Sequence, residues 1–196
     1  MESGVTQPPI GRGPKVRAAV LAATLTELAE VGYAALTVDN VARRAGVHKT
    51  TVYRRWADRE TLIADALTER VAADIPLPDT GAIDTDLREL ARNLTARMTG
   101  RIGRIVLTTM LSDAPEITEA RRRIFADRIL RAAPLVERAV RRGELPADTD
   151  PVELIRALAA PIYLRLVVTG EPLTTAAADR AAAAALAAAR AGVFVP

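Results

Sequence analysis

Residues 37–56 read TVDNVARRAGVHKTTVYRRW, and this stretch predicts two short helices joined by a tight turn. Thr37 suits the N-cap of a first helix over Val38–Arg44, because its hydroxyl can accept a hydrogen bond from a free backbone N–H. Gly46 suits the end of that helix, where a left-handed residue is common. A second helix is expected over about His48–Trp56. Two short helices around such a turn are typical of a helix-turn-helix.

The apolar residues of this stretch can pack the two helices against each other. They are Val38, Val41, Ala42, Val47, Val52 and Trp56. The polar residues are then left in solvent, namely His48, Lys49, Thr50, Thr51, Arg54 and Arg55. A second helix of this kind presents hydrogen-bonding side chains to base edges in a major groove, so the stretch predicts DNA binding.

The positive charge of the chain is concentrated near its N-terminus. The net charge is only +3 over 196 residues. Residues 11–59 carry nine Lys and Arg against four Asp and Glu, whereas residues 61–196 carry 18 of each. A polyanion would therefore be bound by the N-terminal part. Arg12, Lys15 and Arg17 either form an arm that contacts phosphates or belong to a disordered tail.

Residues 45–62, AGVHKTTVYRRWADRETL, resemble the signature of the TetR family of transcription regulators. The matching positions are Gly46, Tyr53, Trp56, Arg59, Glu60 and Leu62, and the resemblance covers Val16–Leu67. The sequence departs from the family at His48, where a capping Ser is frequent, and at Trp56 and Arg59, where Phe and Lys are commoner. The resemblance implies an all-α protein with an N-terminal three-helix helix-turn-helix domain and a C-terminal helical domain for ligand binding and dimerisation.

The resemblance also assigns roles to individual residues. It implies that Tyr53 and Arg59 contact phosphates, that Thr37 offers its hydroxyl and helix start to the DNA backbone, and that Lys49, Thr50 and Thr51 contact bases. The full set of expected DNA-binding residues is Thr37, His48, Lys49, Thr50, Thr51, Tyr53, Arg54, Trp56 and Arg59. The alternatives are a half-buried packing role for Tyr53 and an ordinary solvated face for the arginines.

Helical periodicity and capping signals organise the rest of the chain. Aromatic residues are only 3% and Ala, Leu, Arg and Glu dominate, which favours an all-α class. We expect an N-terminal arm over residues 1–13, a DNA-binding domain over 14–74 and a helical effector-binding and dimerisation domain over 83–196. The predicted helices include one through Ala18–Ala29 that ends at Gly32, and others over 58–73, 84–97, 101–112, 115–142, 151–169 and 175–191. Pro134 and Pro161 fall inside two of them and predict a kink or break.

The last two predicted helices favour a homodimer. An apolar stripe of Leu154, Ile155, Leu158, Ala159, Ile162 and Leu166 suits a core as readily as a subunit interface. Twelve of the sixteen residues over Ala176–Ala191 are alanine, so another helix can approach this one closely. A four-helix bundle with the same pair from a second subunit would bury it. The alternative is a terminal helix of strong propensity without a partner.

The resemblance implies an apolar pocket for a small effector in the C-terminal domain. Adaptable or aromatic residues on separate helices suit the lining of such a cavity, although residues of this kind are more often ordinary core. They are Met98, Met110, Phe125 and Tyr163, with Arg104 as the expected polar contact and Thr108 or Arg165 as alternatives. The expected partners are a palindromic double-stranded DNA operator, a small-molecule effector that releases the repressor from it, and a second copy of the chain.

The composition disfavours several other classes of function. The chain has no Cys and one His, which excludes disulfides and cysteine nucleophiles and leaves His48 without a second His for a metal site. HExxH and glycine-rich phosphate motifs are missing, so we expect no enzyme, no metal and no other cofactor. A helical adaptor that packs against protein is the remaining alternative. We expect no signal peptide and no membrane span, which predicts a cytoplasmic protein.

Overall fold

The computed structural model describes residues 12–72 and 77–196, and helices are the regular elements of these two ranges. They are α1 Arg12–Ala35, α2 Val38–Ala45, α3 Lys49–Tyr53, α4 Arg59–Ala72, α5 Ile83–Thr99, α6 Arg101–Thr109, α7 Pro115–Arg141, α8 Pro151–Leu164 and α9 Thr175–Arg190, with a π-helical turn over Arg165–Thr169 after α8. The all-α prediction is confirmed. The chain divides into two compact units, Met1–Glu69 and Arg70–Pro196.

In the first unit, α1, α2, α3 and most of α4 enclose one apolar core. Its most deeply buried side chains are Val20, Leu21, Leu28, Leu36, Val41, Val52, Leu62, Ile63 and Leu67. Each large aliphatic side chain buried in this way contributes about 1.5–3 kcal/mol. The buried face of α1 passes through residues 20, 24 and 28, which lie above one another at helical spacing. The predicted stripe is therefore displaced, because Ala18 and Ala22 are exposed.

α1 is the one helix in the described residues that is long and apolar enough to cross a membrane. Length and composition alone give that result. Within the unit, its Val20 and Leu28 side chains are fully buried, and its buried Glu27 accepts a hydrogen bond from Arg44 of α2 at 2.9 Å. These are the contacts of a core helix in a globular unit.

The ends of the first helices differ from the sequence prediction in detail. α1 has a break at Gly32 (φ 82°, ψ 172°), after which the chain resumes helical geometry up to Ala35. The expected arm over residues 1–13 overlaps α1, which begins at Arg12, and residues 1–11 lie outside the described residues. α3 ends at Tyr53, three residues before the predicted end.

The boundary between the units falls inside α4, between Glu69 and Arg70. The sequence places it a few residues later, over Asp74–Ala82, of which residues 74–76 lie outside the described residues. The last turn of α4 belongs to the second unit because Arg70 O accepts a hydrogen bond from Arg97 Nη2 of α5 at 3.3 Å. The domain limits of the sequence analysis stay predictions.

In the second unit, α5, α7, α8 and α9 pack around a second core. α9 packs against α5 and α8, and α7 packs against α8. The large buried side chains of this core include Ile83, Leu87, Leu94, Leu135, Leu154, Leu158, Ile162 and Leu186. One face of α9 is buried among them through Ala178, Ala182, Ala185 and Ala189. The alanines thus serve close packing within the subunit on that face.

The apolar stripe of α8 belongs to this core. Leu154, Ile155, Leu158 and Ile162 are buried, and Ala159 and Leu166 are partly buried against them. The sequence left a core and a subunit interface open for this stripe, and burial assigns it to the core. The outward surface of the same region carries Leu164 (51% exposed) and Val168 (72% exposed), together with Ala183, Ala184 and Ala187 of α9.

The two internal prolines have different effects. α7 is a continuous 27-residue helix across Pro134, so the predicted break does not occur there. One proline removes one backbone hydrogen bond, and the packed length of α7 compensates for it. Pro161 lies four positions before the π-helical turn that ends at Gly170 (φ 65°), so the α-helix predicted over 151–169 stops at Leu164.

Candidate DNA-binding surface and effector cavity

The turn between α2 and α3 is fixed by local caps. Thr37 Oγ1 accepts a hydrogen bond from Asn40 N at 3.2 Å at the start of α2. At its end, Gly46 is left-handed (φ 66°), and Val47 N donates to Ala42 O at 3.0 Å. A residue with a side chain would be strained in that conformation. Both caps are those that the sequence predicts.

α3 buries Val52 and exposes the polar residues around it. Lys49, Thr50, Tyr53 and Arg54 lie on its outer side, which we call the α3 surface, and Tyr53 is 50% exposed. Thr51 is half-buried. His48 is the N-cap residue of α3, but its side chain makes no capping hydrogen bond, and its Nδ1 lies 3.2 Å from Thr50 Oγ1. The α3 surface therefore combines hydroxyl, ammonium and guanidinium donors over little more than one helical turn.

Trp56 has a structural position. Its ring is only 4% exposed, and its Nε1 donates to Asp65 Oδ2 of α4 at 2.9 Å. The other oxygen of Asp65 pairs with Arg17 of α1 at 2.7 Å. Asp65 thus joins α1 and α4 to the residues that follow α3. The assignment of Trp56 to the DNA-binding set is wrong, because the buried indole has used its only donor inside the unit.

Arg59 is also engaged within the first unit. Its Nη1 donates to Tyr33 O at 3.0 Å and to Leu36 O at 3.5 Å, while Nη2 pairs with Glu60 at 2.6 Å. Its guanidinium lies 4.7 Å from the centre of the Tyr33 ring. The hydrogen bond to Glu60 is the main reason that the pKa of Arg59 is raised above its usual value. Arg59 therefore anchors the segment of chain that follows the break at Gly32. Its Nε, Nη1 and Nη2 all donate hydrogen bonds within the unit, which does not favour the expected contact with a phosphate.

The remaining basic residues of the first unit fall into two groups. Arg17 and Arg44 are paired with carboxylates of α1 and α4, and Lys49 lies 3.6 Å from Asp39. Within the described ranges, four basic residues have no carboxylate partner, namely Lys15, Arg43, Arg54 and Arg55. Arg43 bonds only Asn40 Oδ1, at 2.9 Å, and Arg55 bonds Gly13 O, at 3.2 Å. Among the basic side chains that the structure describes in this unit, these four are therefore available to an anionic partner.

Arg43 is not in the set of expected DNA-binding residues, but it is exposed and has no carboxylate partner among the described residues. In the sequence it is indistinguishable from its neighbour Arg44. Arg44 faces Glu27 and Glu30 of α1, whereas Arg43 lies exposed on the side of α2 near Asn40. Only the tertiary pairing separates a structural arginine from an available one.

The second unit contains a cavity of about 860 Å³. This volume lies in the range of about 300–1,000 Å³ that is usual for small-molecule sites. Its apolar lining includes Val71, Leu77, Leu90, Leu94, Phe125, Ile129, Ile155, Leu158 and Tyr163. Phe125 and Tyr163 pack edge to face, with ring centroids 5.5 Å apart and planes at 76°. The charged residues of the lining, as far as the chain is described, are Arg122, Asp127, Arg128, Arg131 and Arg156.

The predicted pocket residues are only partly brought together. Phe125 and Tyr163 line the cavity as expected. Met98 and Met110 are buried in the packing of the unit and do not line this cavity. Arg104 is exposed, bonds Thr99 O at 3.5 Å and is also not part of the lining. The spacing of apolar residues predicts which helix faces are buried. It does not distinguish a face that lines a cavity from a face that is packed in the core.

A helical unit of α1, α2, α3 and most of α4 with a capped helix-turn-helix, followed by a second helical unit with an apolar cavity, is typical of one class of protein, the helical DNA-binding transcription regulators. Two family models match the chain. "Bacterial regulatory proteins, tetR family" matches residues 20–66, and "Tetracyclin repressor-like, C-terminal domain" matches residues 77–185. The chain belongs to the TetR family, is a DNA-binding transcription regulator and is not an enzyme.

Similar proteins extend over both units. The HTH-type transcriptional regulator AqdR of Rhodococcus erythropolis is 33% identical over 166 residues, which is 84% of this chain and 80% of AqdR. The DNA-binding transcriptional repressor TetR of Mycobacteroides abscessus is 34% identical over 177 residues, 85% of this chain and 90% of that protein. The crystal structure of the TetR family transcription regulator SCO0332 has a TM-score of 0.72 at 32% identity, covering 88% of this chain and 97% of that one.

Proposed function

We propose that this regulator is a homodimeric repressor that binds a palindromic operator and is released from it by a small-molecule effector. The observation that carries the proposal is the α3 surface, where polar side chains are exposed around the buried Val52. The M. abscessus relative is named a repressor, which supports the direction of regulation.

The contacts with DNA divide by chemistry. Lys49 and Thr50 are exposed on the α3 surface and are proposed to contact bases, with His48 and Thr51 beside them. Tyr53 and Arg54 are proposed to contact phosphates, together with Arg43 and the exposed start of α2 at Thr37. Arg59 and Trp56 act indirectly by holding α1 and α4 in place.

Dimerisation is proposed for the outward faces of α8 and α9. Leu164, Val168 and three exposed alanines form an apolar surface that a second copy can cover through a two-fold axis. Two DNA-binding units related by that axis would read a palindrome, since operator symmetry mirrors protein symmetry. The cavity of the second unit is proposed to hold the effector. A cytoplasmic location follows from access to DNA.

Selection of bound sequences from a random DNA pool tests the proposal. We expect a palindromic consensus for the unmodified protein. Lys49→Gln and Thr50→Val should each change the preferred base at specific positions, whereas Tyr53→Phe should weaken binding to every sequence and leave the consensus unchanged. A consensus without two-fold symmetry would refute the dimeric operator complex. Equal losses for all three variants at all sequences would refute the division between base and phosphate contacts.

A further inference from the structure

Arginine is the commonest charged residue in the described part of the cavity lining. Among the described residues, the lining contains four arginines and one aspartate. Asp127 is already paired with Arg131 (Nε to Oδ2, 2.7 Å), and Arg156 is paired with Glu153 at 2.6 Å outside the lining. Arg122 lies 3.8 Å from Glu119. Arg128 is different, because it is half-buried and has no hydrogen bond or ion pair with any carboxylate in the described part of the chain.

Arg128 interacts with another cation, Arg97. The charges of Arg70 and Arg128, after burial as the main cause, lower the pKa of Arg97 below its usual value. Arg97 itself is bonded to Arg70 O rather than to a carboxylate. The positive charge of Arg128 also acts on Tyr163, whose pKa is raised by burial. A half-buried guanidinium that interacts with a second arginine has an unfavourable environment unless an anion compensates it.

Tyr163 adds a second polar group beside the apolar lining. Its ring packs on Phe125 and lines the cavity, and its hydroxyl makes no hydrogen bond within the described ranges. The cavity thus combines an aromatic and aliphatic wall with one guanidinium and one hydroxyl donor that lack acceptors. Charge-assisted bonds from arginine to a carboxylate satisfy this arrangement better than a neutral molecule can.

We propose that the ligand of the cavity is an organic acid, with an apolar body against Phe125 and Tyr163 and a carboxylate paired with Arg128. This proposal rests on the effector site of the proposed function and specifies its ligand chemistry. Arg122, Arg131 and Arg156 are each paired with a carboxylate, so Arg128 is the arginine of the described lining that we propose as the partner of the anion. A cationic ligand is disfavoured by the same charges.

The test compares three probes with the same ten-carbon chain, which are decanoate, decan-1-ol and decylamine, by calorimetry without DNA. Decanoate should bind at least about tenfold more tightly than decan-1-ol, a ratio that corresponds to about 1.4 kcal/mol. Decylamine should bind most weakly. Arg128→Met, which keeps the length of the side chain, should reduce decanoate affinity to that of the alcohol and leave the alcohol within about twofold.

Arg123→Met is the matched control, because Arg123 is exposed on the same helix, is absent from the lining and removes the same charge. It should leave decanoate affinity unchanged. The proposal is overturned if the acid and the alcohol bind equally, if none of the three probes binds, or if Arg128→Met leaves the preference for the acid intact. If decanoate binds as expected but does not weaken operator binding, the proposed organic-acid site is supported and the proposed release of the repressor by an effector is refuted.

Discussion

At the scale of single residues, the arginines of the first unit divide according to their partners. Arg54 is exposed and has no carboxylate partner among the described residues, whereas Arg59 donates to two carbonyl groups and to Glu60. The two residues are five positions apart and look equivalent in a sequence motif. Their environments leave Arg54 available for the proposed contact with DNA and give Arg59 a role in the fold.

Exchange of each arginine for methionine separates these two roles. Arg54→Met should weaken binding to all DNA sequences and reduce the slope of log affinity against log salt by about one, with unchanged stability. Arg59→Met should lower the free energy of unfolding by about 1–3 kcal/mol, because it leaves Tyr33 O and Leu36 O without their donor. Urea unfolding and fluorescence anisotropy at several salt concentrations measure both effects. If the Arg59→Met protein has normal stability and a reduced salt slope, Arg59 contacts a phosphate and its role in the fold is refuted.

At the scale of elements, α4 depends on a charged N-cap. Asp58 Oδ1 accepts a hydrogen bond from Thr61 N at 2.7 Å, and this bond is the main reason that the pKa of Asp58 is lowered from its usual value of 3.8. A carboxyl group with a lowered pKa in the folded state stabilises above its usual pKa. That contribution is lost as the pH falls through the folded value.

Asp58→Ala should therefore destabilise the protein at neutral pH by about 1 kcal/mol, the usual cost of losing an N-cap. The difference from the unmodified protein should shrink as the pH falls below the usual Asp pKa of 3.8. Asp58→Asn is the control, since an amide oxygen can cap the helix without titrating. Thermal unfolding across this pH range measures the effect. A pH-independent difference between Asp58→Ala and the unmodified protein would contradict it.

Helix positions and the helix-turn-helix could be predicted from the sequence because their signals are local. Thr37 and Gly46 cap α2 through bonds to residues within four positions, and such bonds depend on neighbouring sequence alone. The continuity of α7 across Pro134 could not be predicted, since it depends on packing along the whole helix.

The distinction between similar side chains also required the fold. Arg43 and Arg44 differ only in the tertiary partners that Arg44 finds on α1. The spacing of Trp56 predicts a packing residue, and the structure shows its ring buried. Its place in the family motif suggests contact with DNA instead. Arg128 gave no signal, because an arginine within α7 looks like any residue of a solvated face. Only its position at the cavity makes Arg128 a candidate ligand-binding residue.

At the scale of the whole molecule, the proposed dimer interface is the outward apolar surface that includes Leu164 and Ala184. Leu164→Glu with Ala184→Glu should convert the dimer to a monomer, because charges would enter the surface proposed between subunits. Leu130→Glu is the control, since Leu130 is an exposed leucine on α7 (68% exposed), outside the surface proposed between subunits, and it should leave the dimer intact. Leu158 is 1% exposed, so Leu158→Glu should cost at least about 3 kcal/mol of folding free energy instead, because it buries an unpaired charge. Light scattering that shows a dimer for the double variant at normal stability would place the interface elsewhere.

The remaining prediction concerns the coupling between the two sites. Two recognition helices must lie about 34–36 Å apart, or a multiple of this, to enter successive major grooves on one face of DNA. A ligand that prefers a conformer with another spacing reduces operator affinity by at most its own affinity ratio between the two conformers. α4 begins at Arg59 in the first unit, and its residue Val71 lines the cavity of the second unit, so we expect this helix to carry any coupling.

Linkage makes this coupling reciprocal. Operator DNA should weaken ligand binding by the same factor by which the ligand weakens operator binding, typically about 5–150-fold. Calorimetric titrations with decanoate, with and without saturating operator DNA, and operator titrations with and without decanoate measure the two factors independently. Arg128→Met should abolish both factors together, because it removes the ligand and leaves the α3 surface unchanged. If decanoate binds in the cavity but both factors equal one, the second unit is a dimerisation scaffold with a ligand site and not a switch.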